Sequence, residues 1–129
     1  MEIVKGHQGS AAPSQRRTAT FTGLVYVDPV LASGDGVAVN RVFFGPGSRT
    51  YWHWHERGQL LQVISGLGLI CAEGGQPWSL EAGDVVWAPP GERHWHGGGP
   101  ETLMMHLALS LGTTNWLEPV SDADYSARP

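Results

Sequence analysis

Apolar residues in this chain recur at alternate positions in short runs, and each run stops at a cluster of glycine, proline, aspartate or serine. Alternation over roughly four to eight residues marks a half-buried β-strand rather than a helix. FTGLVYVDPV reads as a strand that Asp28-Pro29 ends in a turn, and SGDG then leads into VAVNRVFFGPG. In that second run Val39, Arg41 and Phe43 share one face, while Ala38, Asn40, Val42 and Phe44 share the other. Arg41 is expected to face water, which turns Asn40 and Val42 inward. After Pro46-Gly47 come YWHWH, a short ERG connection, QLLQVISG, and a hairpin GLGLICAEGGQPWSL that turns at Gly74-Gly75. DVVWA, RHWHG and TLMMHLALS complete the series. In the last of these, Met104, His106, Ala108 and Ser110 line one face. Leu103, Met105, Leu107 and Leu109 line the other, a wholly apolar set expected to pack on neighbours.

About nine such segments without a long helix predict an all-β fold, a jelly-roll barrel in one domain. Residues 1–20 read as an N-terminal arm or edge strand, with His7 solvated. The barrel is assigned to 21–112, and 113–129 to a tail packing on or beside it, with a short helical turn near Asp122 and Asp124.

Composition narrows the function classes. The 129 residues include 18 Gly and 9 Pro, with 16% charged residues, a turn-rich globule rather than a disordered chain. A net charge of -4, with Arg16-Arg17 the one adjacent basic pair, argues against nucleic acid as a partner. The single cysteine, Cys71, lies in an apolar run and reads as a small core residue. MEIVKGHQGS carries no apolar secretory core, and no apolar segment approaches the roughly 18 residues of a membrane span. The expectation is a soluble protein in a reducing, cytoplasmic setting, with no membrane partner.

Candidate chemistry sits in two H-W-H triplets, which hold four of the six histidines. His53 and His55, two apart on a strand, leave the same face about 7 Å apart, a span one metal ion can bridge. Gln59 follows four residues later, and His94 and His96 repeat the spacing. By the same parity Trp52, Trp54 and Trp95 must face away from the metal. Large aromatics on an outer face predict a homo-oligomer, a homodimer or homotetramer.

These residues resemble a known family. Gly47 to Gly66 is similar to the first cupin motif, in which H-x-H and a carboxylate four residues on precede a strand ending in glycine. Gly83, Pro89, Gly91 and His94 meet the second, G-x5-P-x-G-x2-H. The resemblance implies a cupin-type double-stranded β-helix. Two positions depart from the common pattern: Gln59 stands in place of glutamate, and Gly98 in place of an asparagine. The similarity is closer to small single-domain bacterial cupins that act as manganese-dependent hydroxynitrile lyases, whose metal set is three histidines and a glutamine. It extends to the N-terminal MEI, to the M.HLA strand and to an acidic tail with a W.E.V.D..Y pattern.

What the resemblance implies agrees with the donor chemistry. His53, His55 and His94 are neutral imidazoles suited to Mn, Fe, Ni, Cu or Zn, and the amide oxygen of Gln59 is a hard, uncharged fourth ligand; the resemblance implies Mn²⁺, with Fe²⁺, Ni²⁺ or Zn²⁺ as alternatives. An ion with four neutral ligands keeps its full charge, which favours Lewis-acid over redox work. His96 and His106 are then candidates for proton transfer, and Asn40, Val42, Phe44 and Ser110 for the walls of a small-molecule pocket. The implied activity is cleavage or formation of cyanohydrins. Two alternatives stand beside it, a Mn- or Fe-dependent dioxygenase that cleaves a C–C bond of a diketone or enol and a non-catalytic small-molecule-binding cupin.

Overall fold

The computed structural model describes residues 1–5 and 13–127, so the reading of His7 lies outside the described residues. Among the described residues, twelve strands and one helical turn follow one another. They are β1 (Gln15–Arg16), β2 (Phe21–Thr22), β3 (Val25–Ala32), β4 (Val37–Phe44), β5 (Arg49–Thr50) and β6 (His53–His55), then β7 (Gln59–Ala72), β8 (Trp78–Glu81), β9 (Val85–Ala88), β10 (His94–Gly98), β11 (Met104–Leu111), β12 (Thr114–Trp116) and α1 (Asp122–Tyr125). All pairings are antiparallel, and they join the strands into one curled sheet.

β7 closes the curl, because its two halves serve opposite walls. The first half pairs with β11 and β9, and the second with β10 and β8. The change of partner comes at Gly66, whose φ of 82° suits glycine, and a Cβ there would meet the Leu103 carbonyl oxygen at 2.1 Å. A second close approach is at Gly97, where a Cβ would lie 2.2 Å from the Ser48 carbonyl. β10 and β5 can therefore approach only with glycine at that position.

Inside the curl Val25, Val27, Val42, Phe44, Val63, Leu80 and Met104 form one buried cluster. A second cluster of Leu69, Cys71, Trp95, Val120 and Tyr125, flanked by Trp52, lies against the C-terminal segment. Arg49 ties that segment down. Its guanidinium donates to the Val120 carbonyl and to Asp122, both at 2.8 Å, and lies 4.6 Å over the Tyr125 ring. Tyr125 in turn donates its hydroxyl to the Gly98 carbonyl at 2.8 Å.

Two sequence expectations change here and one holds. Asp28-Pro29 does not end its strand: β3 continues to Ala32 through an irregularity between Pro29 and Leu31. Proline is tolerated because β1 pairs only alongside Tyr26 and Val27, which leaves that edge open where the N–H is missing. Trp95 does not stand on an outer face, since Val120 and Tyr125 cover it. In β11 the buried face is the mixed one with Met104, His106, Ala108 and Ser110, as the pocket positions expected for His106 and Ser110 require, and the apolar Leu107 and Leu109 are half-buried on the outside. No helix among the described residues is long and apolar enough to cross a membrane.

Candidate metal centre and pocket

Strand register brings the histidines together. His53 of β6 lies directly opposite His94 of β10, while β12 pairs along β6 and sets Thr114 opposite His55. Gln59 opens β7 beside Ser110 of β11, and His106 lies between Val42 and Val63. His53, His55, Gln59, His94, His96, His106 and Ser110 are all buried. Ring centroids of His53 and His94 are 4.4 Å apart, and those of His53 and His55 5.0 Å.

The hydrogen bonds determine which nitrogens face inward. A carbonyl oxygen only accepts, so Nδ1 of His53 donates to the Tyr51 carbonyl, and Nδ1 of His94 to that of Glu92, each at 2.9 Å. His55 Nδ1 meets the Thr114 hydroxyl at 3.1 Å. Holding Nδ1 in this way orients an imidazole with its Nε2 lone pair free for a ligand. Gln59 is oriented as well, because its amide N–H donates to Ser110 Oγ at 3.0 Å and its carbonyl oxygen stands 3.2 Å from His94 Nε2.

These contacts test whether a cation fits. A neutral His94 carries one N–H yet faces two acceptors, the Glu92 carbonyl and the Gln59 oxygen. A cation between Nε2 and the amide oxygen would satisfy both groups. His55 Nε2, buried and without a hydrogen-bond partner, has the same requirement. The residues present therefore fit a divalent ion. His53, His94 and His96 form a buried triad that could hold it, with one ring nitrogen of each lying within 4.8 Å of the others. His55 and Gln59 adjoin this triad.

Electrostatics keep the cluster neutral. Burial pushes the pKa of every one of these histidines down, to about 4 for His55 and His106, and to well below the ordinary 6.5 for His53 and His96. Repulsion from neighbouring imidazoles adds to burial at His53, His55 and His96. His94 is also lowered by burial, partly offset by the Glu92 carbonyl bond.

A stability prediction follows for the metal-free protein. Above about pH 6.5 these histidines are neutral in both the folded and unfolded chains and add no pH dependence. Below that value the unfolded chain takes up protons that the folded one refuses, so stability falls with pH until the folded pKa values are reached. Each histidine contributes a slope of up to about 1.4 kcal/mol per pH unit. Thermal melts of the metal-free protein between pH 8 and 4 are expected to drop steeply below pH 6.5. A flat profile over that window would contradict neutral burial.

His96 and His106 form a pair of their own. Nε2 of His106 and Nδ1 of His96 are 2.9 Å apart, and the outer nitrogens, His96 Nε2 and His106 Nδ1, are buried without a hydrogen-bond partner. Phe44 packs against both rings, at centroid distances of 5.8 and 5.3 Å.

The cavity at this cluster measures about 210 Å³. It is smaller than the roughly 300–1,000 Å³ typical of drug-sized ligand sites, so it suits a single-ring molecule. Asn40, Val42, Phe44 and Ser110 line it together with His53, His55, Gln59, His96 and His106. A larger groove of about 610 Å³ runs outside the barrel past Leu67, Glu81, Asp84 and Glu101, but its lining holds no histidine. The smaller cavity therefore carries the candidate chemistry. Sequence reasoning missed Arg17, Phe21, Thr50, Thr114 and Trp116 on its walls. All but Thr50, which lies three residues before His53, are far from the histidine motifs, and no local spacing marks them. Trp116 covers His53 at 4.7 Å between ring centroids.

Comparison with known proteins places this geometry. The model of the Cupin domain family matches residues 40–108. A protein of Granulicella tundricola named (R)-mandelonitrile lyase is 44% identical over 123 residues, which cover 91% of this chain and 94% of that protein. A cupin-like protein from Thermotoga maritima superposes with a TM-score of 0.82 at 35% identity, covering 85% of this chain and 89% of that one. A polyketide cyclase from Streptomyces resistomycificus shares the fold at a TM-score of 0.73 and 16% identity, covering 95% and 91% of the two chains.

Proposed function

This chain belongs to the Cupin domain family, and on that premise we propose that it is a metal-dependent lyase that cleaves and forms cyanohydrins. The observation that carries the reading is a buried path of two imidazoles, His96 to His106, that opens into a pocket lined by no carboxylate among the described residues. The lyase named above, with 44% identity over nearly the whole chain, supports it.

The proposed ligands are ring nitrogens of His53, His55 and His94 and the amide oxygen of Gln59, with Mn²⁺ as the ion and Fe²⁺, Ni²⁺ and Zn²⁺ as competitors. The oriented Nδ1 atoms of these three histidines support this set over one in which His96 replaces His55. A bound divalent ion supplies Lewis acidity, which lowers the pKa of a substrate hydroxyl.

The dyad moves the proton. When His96 Nδ1–H donates to His106 Nε2, His96 Nε2 presents a lone pair and His106 Nδ1 a proton, and shifting the bridging proton reverses both ends. A proton taken at one outer nitrogen is therefore matched by a proton offered at the other. Cyanohydrin cleavage needs this pairing: the O–H bond breaks, the C=O bond forms, and the C–C electron pair leaves on cyanide, which accepts the second proton. Phe44 and Val42 keep the path dry, while Asn40 and Ser110 offer polar contacts along the substrate.

The test follows benzaldehyde release from mandelonitrile by ultraviolet absorbance, using protein stripped with chelator and reloaded with Mn²⁺ under argon. Metal-dependent release above the spontaneous rate is expected. A requirement for oxygen on diketone substrates would favour a Mn- or Fe-dependent dioxygenase instead, and tight ligand retention without turnover would favour a binding module. A cytoplasmic setting is part of the proposal and suits the free, buried Cys71.

A homodimer or homotetramer is also proposed, on a different face from the tryptophan triplets. Leu109 lies between Val39 and Leu60, and Leu60 lies beside Trp87, on the outer side of β4, β11, β7 and β9. Leu60, Ile64 and Trp87 are 39%, 45% and 51% exposed, a run of apolar surface that a second copy would cover. Light scattering at micromolar concentration should give a mass of two or four chains, and Leu60→Glu should lower it. A wild-type monomer would remove the idea.

A further inference from the structure

Among the described residues, the wall of the histidine pocket carries one permanent positive charge and no negative one. Arg17 lines it together with Thr20, Phe21, Asn40 and Trp116, and no aspartate or glutamate is among the lining residues. Arg17 is exposed, whereas the histidines beyond it are buried, which places the guanidinium toward the mouth. Its backbone N–H donates to the Val25 carbonyl at 3.0 Å, anchoring the segment on β3. The side chain donates through Nη2 to the neutral Gln15 Oε1 at 2.8 Å.

Among the described arginines, Arg49 pairs with Asp122 and Arg93 with Glu73 and Glu118, whereas Arg17, like Arg16, Arg41 and Arg57, forms no ion pair. This occurs in a chain with 12 acidic residues and a net charge of -4. The imidazoles deeper in the pocket are neutral and offer no counter-charge. Nη2 uses one of the five N–H donors of the guanidinium on Gln15, and the planar fork matches a carboxylate in bidentate fashion.

We propose that Arg17 forms an anion subsite at the pocket mouth, and that the preferred substrate is a small hydroxy or oxo compound carrying a carboxylate at the end remote from its reacting carbon. The proposal rests on the barrel pocket being the substrate site. It sets the substrate class for that site: the reacting carbon enters toward the histidines, the single ring or short chain lies between Phe21, Val42 and Phe44, and the carboxylate stays at the partly solvated rim.

The test uses binding without turnover. Metal-loaded protein is titrated by calorimetry, in the absence of cyanide, with 4-formylbenzoate, with its neutral isostere 4-formylbenzamide and with benzaldehyde. Wild-type protein is expected to bind 4-formylbenzoate about five- to tenfold more tightly than 4-formylbenzamide, and the preference should shrink as salt rises. Arg17→Gln should bring the ratio near one, each affinity being expressed relative to that of benzaldehyde in the same variant, and Arg17→Lys should restore part of it. Equal binding of the two isosteres to wild-type protein would overturn the proposal. So would a preference that survives in Arg17→Gln, because the anion would then be held by the metal centre. If mandelonitrile is not cleaved but 4-formylbenzoate is still preferred through Arg17, the lyase reading falls and the anion subsite stands.

Discussion

Replacing His53 with alanine is expected to strip the protein of its metal and bring cyanohydrin turnover down to the buffer's own rate. His53 belongs to both candidate donor sets, the one completed by His55 and Gln59 and the one completed by His96. Its Nδ1 is committed to the Tyr51 carbonyl, which aims the remaining lone pair at His94 across the paired strands. Loss of residues that merely orient a ligand commonly costs about 10- to 100-fold in metal affinity, so loss of a ligand itself should exceed that. Metal analysis after gel filtration measures it, alongside the absorbance assay. Full metal content and activity in His53→Ala would remove the site. Running His55→Ala and His96→Ala in parallel separates the donor sets: the proposed set predicts metal loss in the first and metal retention in the second.

His106→Ala should have a different signature. Metal content is expected to remain near that of the wild type, whereas kcat should fall about 10²- to 10⁴-fold, the usual contribution of a positioned acid–base group. The variant leaves His96 Nδ1 without its partner at 2.9 Å, so a proton accepted at His96 has no second imidazole to continue through. The loss in kcat should exceed any change in KM, because the metal ligands and the other pocket walls keep their side chains. Stopped assays of benzaldehyde release over a range of mandelonitrile concentrations would separate the two constants. Unchanged kcat would mean that the proton leaves by another route. Lost metal would mean that His106 supports the ligand shell instead.

The parts of the site legible in the sequence were those governed by strand parity. Alternation placed His53 with His55 and His94 with His96, because successive side chains on a strand leave opposite faces, and all four are buried. Parity also grouped Asn40, Val42 and Phe44, which line the pocket together. It likewise put His106 and Ser110 of β11 on the face that meets the pocket. A rule that sends the most apolar face to the core fails there, because the barrel interior holds polar chemistry. Leu107 and Leu109 therefore lie outside, and His106 and Ser110 inside.

The sequence places the C-terminal segment on or beside the barrel with a helical turn near Asp122, but not its seat over Trp95. Its packing on Trp95 depends on Val120, Tyr125 and the contacts of Arg49, residues about 25 to 75 positions apart in sequence. Such contacts leave no periodic trace. Pro29 was a local error of another kind: proline usually ends a strand, but an open edge and an irregular register let β3 continue.

By itself the sequence determined the strand class, the two histidine triplets and the turns that keep them in order, all short-range properties of spacing and residue type. Only the tertiary structure decided that His96 touches His106, that Ser110 orients the Gln59 amide, that Thr114 meets His55 and that Arg17 lines the same cavity. These pairings join strands that are distant along the chain, and their distances follow from how the sheet curls and changes partners at Gly66.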